Sequence, residues 1–273
     1  MTAPPRRYVA IGDSLSEGIG DEPWPDGTPR GWTDRLAELL GAHHGEVDYA
    51  NLAVRGQRAH EVLATQVEAA LVMEPDVVTL TAGMNDLLRP RFDPDVLRAT
   101  LAEIVAPFTA KGACLVVVPI PDIRSVSPAG RLLARRRVRL NEIYAWLSTA
   151  HGMEPPAVTT GTVFEDRRAW ADDRLHLSPL GHERLAMAAA DALGVPGVDA
   201  WAAVPQGDPP LTSLRSEVAW ARRHLGPWVG RRLTGRSSGD GVVAKRPDLT
   251  GWRPPACSPR SARPCAPPGP ARP

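Results

Sequence analysis

Short apolar runs alternate with amphipathic stretches along most of this chain, and that alternation most constrains its fold. Between the runs, leucine, valine and alanine recur at helical spacing, over stretches that suit helices of about ten to fifteen residues. Strands that alternate with helices predict an α/β domain with a mainly parallel sheet, covered by helices on both faces. The predicted strands are residues 9–11, a segment within residues 47–54, residues 76–81 and residues 114–120.

Three of the predicted strands end in a polar turn that contains glycine: Gly12-Asp13-Ser14, residues 51–56 and residues 83–86. Because the carboxyl ends of parallel strands lie along one edge of a sheet, we expect these turns to meet there and form a site. A serine at such a turn, beside a helix N-terminus, can act as a nucleophile with backbone N–H groups around it. The alternative for Ser14 is a plain helix N-cap.

His176 completes the set of groups that acyl transfer requires. Ser14 would attack a carbonyl carbon, His176 would take the serine proton, and Asp173 would hold the imidazole from three residues upstream. The backbone N–H groups of Ser14 and Gly56 and the side-chain amide of Asn85 are expected to bind the oxyanion.

Three neighbouring residues compete for these roles. Ser16 is an alternative to Ser14, and Asp172 is an alternative to Asp173, although the Asp-x-x-His spacing favours Asp173. His182 follows six residues after the proposed base on a predicted helix, where packing or solvent exposure is the expected role.

Four blocks of the sequence resemble the signature blocks of the SGNH (GDSL-type) hydrolases, in that family's order. They are Gly12-Asp13-Ser14-Leu15, Asn51 to Gly56, Gly83-x-Asn85-Asp86 and Asp173-x-x-His176, and the resemblance covers roughly residues 6–195. It implies a flavodoxin-like, three-layer α/β/α sandwich that hydrolyses esters or thioesters with a Ser-His-Asp triad and without a metal. It also implies that Ser14, Gly56 and Asn85 form the oxyanion hole and that Asp13 is a structural hydrogen-bonding residue.

Charge and composition divide the chain into three parts. Residues 1–200 carry 20 Lys+Arg against 27 Asp+Glu, whereas residues 201–273 carry 12 against 4. We therefore predict a hydrolase domain at 1–200 and a basic, partly helical extension at 201–252. Four of the eight tryptophans lie in that extension, which predicts docking on the hydrolase domain or contact with anionic lipid. Residues 253–273 are rich in proline and arginine and are predicted to be disordered.

The remaining features exclude several classes of protein. Three cysteines do not form a disulfide framework, and no apolar run approaches the length of a membrane span. The run after Arg6-Arg7 is too short for a signal peptide, so a cytoplasmic location is expected. The excess of arginine over lysine indicates a GC-rich bacterial coding sequence. No cofactor, metal or nucleic-acid partner is expected. The basic cluster of Arg131, Arg135-Arg136-Arg137 and Arg139 predicts a solvated helix face, with contact to an anionic substrate as the alternative.

Taken together, these features predict a serine esterase that cleaves a carboxylic ester of small-molecule size through a covalent acyl-enzyme. The same triad would also serve a thioesterase, a lysophospholipase or an acyltransferase. An alternative from another class is a non-catalytic binding module in which the extension occupies the site.

Overall fold

The computed structural model describes residues 5–124, 126–153, 159–207, 219–220, 222–223 and 238–253. Within these ranges the chain forms a five-stranded sheet in the order β4-β3-β1-β2-β5. Strands β1 to β4 run parallel, and β5 pairs antiparallel with β2. The strands are β1 Arg7–Gly12, β2 Asp48–Asn51, β3 Val77–Thr81, β4 Cys114–Val117 and β5 Arg246–Gly251.

The α-helices of the described ranges connect the parallel strands and cover both faces of the sheet. The side chains of Asp93 and Ser178 cap α6 and α8, and each cap precedes a proline at the first helical position. The helices are α1 Ser14–Glu17, α2 Trp32–His44, α3 Ala59–Thr65, α4 Val67–Val72, α5 Met84–Leu87, α6 Pro94–Ala110, α7 Pro128–His151 and α8 Pro179–Ala192. Single 3-10 turns cover Val163–Glu165, Arg167–Ala169 and Asp199–Ala202.

Alternate residues of β1 divide the core into two apolar layers. Tyr8 and Ala10 pack with residues of α2 and α8 on one face of the sheet. Val9 and Ile11 pack with residues of α3, α6 and α7 on the other face. Because a strand points successive side chains to opposite faces, this division makes a three-layer α/β/α sandwich. The predicted fold class is confirmed, and the order of the four parallel strands is the flavodoxin-like order.

Strand β5 is the main feature of the sheet that the sequence analysis did not predict. It belongs to the basic extension, yet it pairs with β2 through the register Tyr49↔Thr250 and Asp48↔Gly251. Its six residues are mostly exposed and include Pro247, so they lack the apolar alternation of a buried strand. An edge strand tolerates both features because only one side of it is hydrogen-bonded.

Three tryptophans of the extension lie in the described ranges, and each contacts the first 200 residues. Trp201 donates a hydrogen bond to Asp191 over 3.0 Å, and the guanidinium of Arg174 lies 4.6 Å from the ring centroid of Trp220. The ring of Trp252 packs edge-on against Tyr49. Trp228 and the predicted disordered tail beyond Arg253 lie outside the described residues. Contact of the extension with anionic lipid stays a prediction.

None of the helices in these ranges combines the length and the apolar character that crossing a lipid bilayer requires.

Candidate active site

The turn that presents Ser14 is held by the end of β3 and by one buried side chain. Gly12 has φ 136°, and a Cβ there would lie 2.2 Å from the carbonyl oxygen of Thr81, so glycine is required. The N–H of Gly12 donates to Oε1 of Gln66 over 2.7 Å, and Nε2 of Gln66 donates back to the Gly12 carbonyl over 2.8 Å. The N–H of Asp13 donates to the Thr81 carbonyl over 3.1 Å. Ser14 therefore begins α1 on a fixed backbone.

Ser14, His176 and Asp173 form one continuous chain of hydrogen bonds. The Ser14 Oγ lies 3.0 Å from Nε2 of His176, and Nδ1 of the same ring lies 2.6 Å from Oδ2 of Asp173. The other carboxylate oxygen, Oδ1, accepts the backbone N–H groups of Leu175 and His176, each over 3.0 Å. The spacing of three residues thus lets one carboxylate fix both the turn and the orientation of the imidazole.

Two of the competing residues are placed elsewhere. Asp172 is exposed, and it is Asp173 that contacts the His176 ring. Ser16 is buried, and its Oγ lies 2.8 Å from Oγ1 of Thr81.

The electrostatics of Asp173 suit an ionised partner for a histidine. Burial by itself would raise the pKa of Asp173, but the hydrogen bonds and charge of His176 outweigh burial and lower that pKa to about 2. The carboxylate is therefore charged at neutral pH, where it can stabilise an imidazolium beside it.

The two backbone N–H groups that the sequence predicts to bind an oxyanion lie in the turns after β1 and β2. The first is that of Ser14 itself, and the second is that of Gly56, which has φ 80° in the turn after β2. No oxygen of the described residues accepts a hydrogen bond from either group. Between the two turns, Glu17 of α1 accepts the backbone N–H of Arg55 over 2.7 Å and also binds the Arg55 guanidinium. This ion pair fixes the position of Gly56 relative to α1.

Asn85 reaches the same place from the third turn, but its amide hydrogens already have partners. Its Nδ2 lies 2.9 Å from the carbonyl oxygen of Gln57 and 3.2 Å from Oδ2 of Asp13. The structure therefore brings the three sequence-predicted turns together. The Asn85 amide links them by donating to Asp13 after β1 and to the Gln57 carbonyl after β2.

Asp13 and His182 hold the surrounding backbone. Burial raises the pKa of Asp13 to about 6, although the N–H of Leu15 opposes this shift. Burial lowers the pKa of His182 to about 4, against the opposing charge of Asp21. His182 is buried, accepts the Trp32 N–H at Nδ1 over 3.1 Å and contacts the Ile19 carbonyl through Nε2 over 3.0 Å. Of the two roles expected from sequence, packing and solvent exposure, packing is the one that these contacts give it.

The basic cluster of α7 is divided between two roles. Arg136 donates to the carbonyl oxygens of Leu87 and Arg89, 2.7 Å and 2.6 Å away, and so holds the segment after Asn85. Arg137 binds the Ile120 carbonyl and Asp122 in the segment after β4. The exposed members of the cluster are Arg131, Arg135 and Arg139.

Sequence reasoning missed Gln66, although a signal was present. Val62, Gln66 and Ala70 recur at intervals of four residues, so the glutamine lies on the apolar stripe of the predicted helix. A polar residue on such a stripe must find a buried partner, and here the partner is the backbone before the serine.

The GDSL-like lipase/acylhydrolase family model matches residues 10–184, which is more than half of the chain. Among curated proteins, the uncharacterized protein YpmR of Bacillus subtilis is 34% identical over 86 residues. That match covers 30% of this chain and 32% of the relative, so it spans about a third of the relative's length.

Two solved structures are similar over most of their own length. LAE5, an alpha/beta hydrolase enzyme from the metagenome of Lake Arreo in Spain, has a TM-score of 0.57 and 22% identity over 70% of this chain and 95% of its own. A catalytic mutant of Axe2, an acetylxylan esterase from Geobacillus stearothermophilus, has a TM-score of 0.59 and 19% identity over 74% of this chain and 97% of its own. Both similarities show the fold.

Proposed function

The chain belongs to the GDSL-like lipase/acylhydrolase family, and from this premise we propose that it cleaves a carboxylic ester with Ser14, His176 and Asp173. As a member it is a hydrolase of the GDSL esterase type. The observation that carries the finer proposal is the chain of short contacts from Ser14 Oγ to His176 Nε2 and from His176 Nδ1 to Asp173.

In the first half of the reaction, the Ser14 oxygen attacks the carbonyl carbon of the ester while Nε2 of His176 takes the hydroxyl proton. The ionised Asp173 stabilises the imidazolium that forms. The tetrahedral intermediate then collapses, and the C–O bond to the alcohol breaks. His176 gives its proton to the leaving alkoxide, and an acyl-Ser14 ester remains.

In the second half, water attacks the acyl-enzyme while His176 again accepts a proton. The bond from the acyl carbon to Ser14 Oγ breaks, the proton returns to the serine, and the carboxylic acid leaves.

The oxyanion of both tetrahedral intermediates would be bound by the N–H groups of Ser14 and Gly56, neither of which donates to an oxygen of the described residues. Asn85 would join them by exchanging its 3.2 Å contact to Asp13 for the substrate oxygen. A single oxyanion donor typically contributes about 3 kcal/mol to the transition state.

The experiment that tests this proposal has two arms. In the first, hydrolysis of p-nitrophenyl acetate and butyrate is measured for the wild type and for Ser14→Ala and His176→Ala. We expect both variants to lose nearly all activity, and unchanged rates in both would refute the triad.

In the second arm, a fluorophosphonate probe is offered to the same three proteins. The proposal predicts labelling of the wild type on Ser14 and none of Ser14→Ala. A folded wild-type protein that resists the probe would instead favour a binding module whose serine is not activated.

A further inference from the structure

Residues 18–31 link the helix that carries Ser14 to α2, and they form what we call the bridging loop. A Cβ at Gly20 would lie 2.2 Å from the carbonyl oxygen of Leu177 and 3.1 Å from Cβ of His176, so the backbones touch there. His182 joins the same loop to α8 through the Ile19 carbonyl. The bridging loop therefore follows the helix of Ser14 in the chain and also contacts the His176 turn.

Lys245, the residue just before β5, binds this loop close to its C-terminal end. Its Nζ donates to the carbonyl oxygen of Pro29 over 2.9 Å and also to that of Arg30. It also forms an ion pair with Oδ1 of Asp34 over 2.8 Å. An ammonium group has three donors and no acceptor, so each of its N–H groups has a partner here. The lysine side chain is only 8% exposed, which gives these contacts a protected environment.

Asp34 connects Lys245 to Trp24, in the middle of the bridging loop. Besides the lysine, its Oδ1 accepts the hydroxyl of Tyr49 over 2.8 Å. Its Oδ2 accepts Nε1 of Trp24 over 2.7 Å. One buried carboxylate thus connects the loop, strand β2 and the C-terminal extension.

The neighbouring residues of the extension make a different set of contacts. Arg246 donates to the Tyr49 carbonyl over 2.9 Å and also binds Thr250 within its own strand. The N–H of Trp252 donates to the Val47 carbonyl over 2.7 Å. A substitution of Lys245 can therefore remove the contacts with the bridging loop, whereas a substitution of Arg246 affects the contacts of β5 with β2.

We propose that Lys245 is a positioning residue for the hydrolytic reaction: it holds the bridging loop against the His176 turn and so keeps His176 at hydrogen-bonding distance from Ser14. The inference rests on the proposed function. It assigns a role to the extension, which lies beyond the residues that match the family model. The extension would then be part of the catalytic unit and not an independent appendage.

The test compares Lys245→Met with Arg246→Met as its matched control. Both substitutions remove a cation from the same end of β5, but only the first touches the bridging loop. Each protein is assayed with p-nitrophenyl acetate at a temperature where circular dichroism shows it to be folded. A double variant, Lys245→Met with Asp34→Asn, avoids leaving a buried carboxylate without its cation and protects against unfolding of the single variant.

We expect Lys245→Met and the double variant to lower kcat by about 10- to 100-fold, because small displacements of catalytic groups have effects of that size. KM should stay within about twofold, since no substrate contact is lost. The rate of fluorophosphonate labelling should fall in parallel with kcat. Arg246→Met should lower the melting temperature and leave kcat near the wild-type value.

Three results would overturn the proposal: a wild-type kcat in folded Lys245→Met, an equal loss of kcat in Arg246→Met, or failure of the double variant to fold at any temperature. The first would mean that the contacts of Lys245 with the loop only stabilise the fold. The second would mean that pairing of β5 with β2 is what matters, and the third that the ion pair of Lys245 and Asp34 is needed for folding. Failure of the proposed function itself is distinguishable, because Ser14→Ala would then remain active.

Discussion

The side-chain amide of Gln66 pairs with the backbone of Gly12 through two hydrogen bonds, 2.7 Å and 2.8 Å long. The glutamine thereby binds the end of β1 as a neighbouring strand would, at the point where the chain turns away to present Ser14. The nucleophile is thus supported by a side chain 52 residues further along the chain.

Gln66→Met should reduce both stability and activity. Methionine has a similar length but cannot pair with either group of Gly12, and a buried group without a partner costs about 1–3 kcal/mol. Chemical denaturation should show a loss of that order, and kcat should fall because the serine turn loosens. Gln57→Met is the control, since it removes the adjoining amide but leaves both bonds to Gly12, and a loss as large there would contradict this account.

Asp173→Asn and Asp172→Asn should differ sharply in activity. An asparagine at 173 still accepts backbone N–H groups but no longer stabilises an imidazolium, so we expect kcat to fall by about 10²- to 10⁴-fold. The exposed Asp172 should tolerate the change with nearly full activity. Steady-state hydrolysis of p-nitrophenyl butyrate distinguishes the two variants. Equal losses of kcat would mean that Asp173 is not the carboxylate that acts with His176.

His182 should make stability depend on pH in weakly acidic solution. Its pKa is lowered from 6.5 to about 4 in the folded protein, so between these values the unfolded chain binds more protons. The contribution of His182 to the free energy of unfolding should therefore be fully present above pH 6.5. It should be lost as the pH falls toward 4, by about 3 kcal/mol in all.

The measurement is the free energy of unfolding from pH 7 to 4 for the wild type and for His182→Gln. Glutamine can accept the Trp32 N–H and donate to the Ile19 carbonyl, so the variant should fold and show a shallower decline. Asp13, with its pKa raised to about 6, loses stability as the pH rises from 3.8 to 6, which is the opposite sign. Both proteins contain Asp13, so the difference between their curves isolates His182, and parallel curves would show that the histidine is not buried in its neutral form.

Gly20→Ala should slow hydrolysis by displacing the His176 turn. The new methyl group would lie 2.2 Å from the Leu177 carbonyl, and something must shift to make room for it. We expect kcat to fall by about tenfold or more, as for other displacements of catalytic groups. Gly27→Ala is the control, because Gly27 also has a positive φ, 87°, but open space around its Cα. If both variants kept the wild-type kcat, contact at Gly20 would have no part in catalysis.

The parts of the site that could be predicted from sequence are those that short-range rules govern. Ser14 lies two residues after the end of β1, and Asp173 lies three residues before His176, so local geometry is enough to orient each group. The convergence of the three turns could also be predicted, because parallel strands place their carboxyl ends along one edge.

The parts that could not be predicted depend on partners distant in sequence. Lys245 and Asp34 are more than 200 residues apart, and neither lies in a motif that suggests an ion pair. In the same way, β5 has a polar sequence with a proline that does not predict a strand. It becomes a strand because it pairs with the edge of β2 that β1 leaves open. The engagement of the Asn85 amide by Asp13 and Gln57 likewise depends on how three separate turns pack together.

The antiparallel pairing of β5 with β2 has a consequence for synthesis of the chain. On the ribosome, β2 is complete about 195 residues before β5 begins, which at ordinary elongation rates is a delay of roughly 10–40 s. Throughout that interval the outer side of β2 presents unsatisfied N–H and C=O groups to other nascent strands. Premature termination between residues 177 and 245 should therefore yield chains that aggregate through this unpaired edge of β2, even though every residue of the proposed triad has already been made.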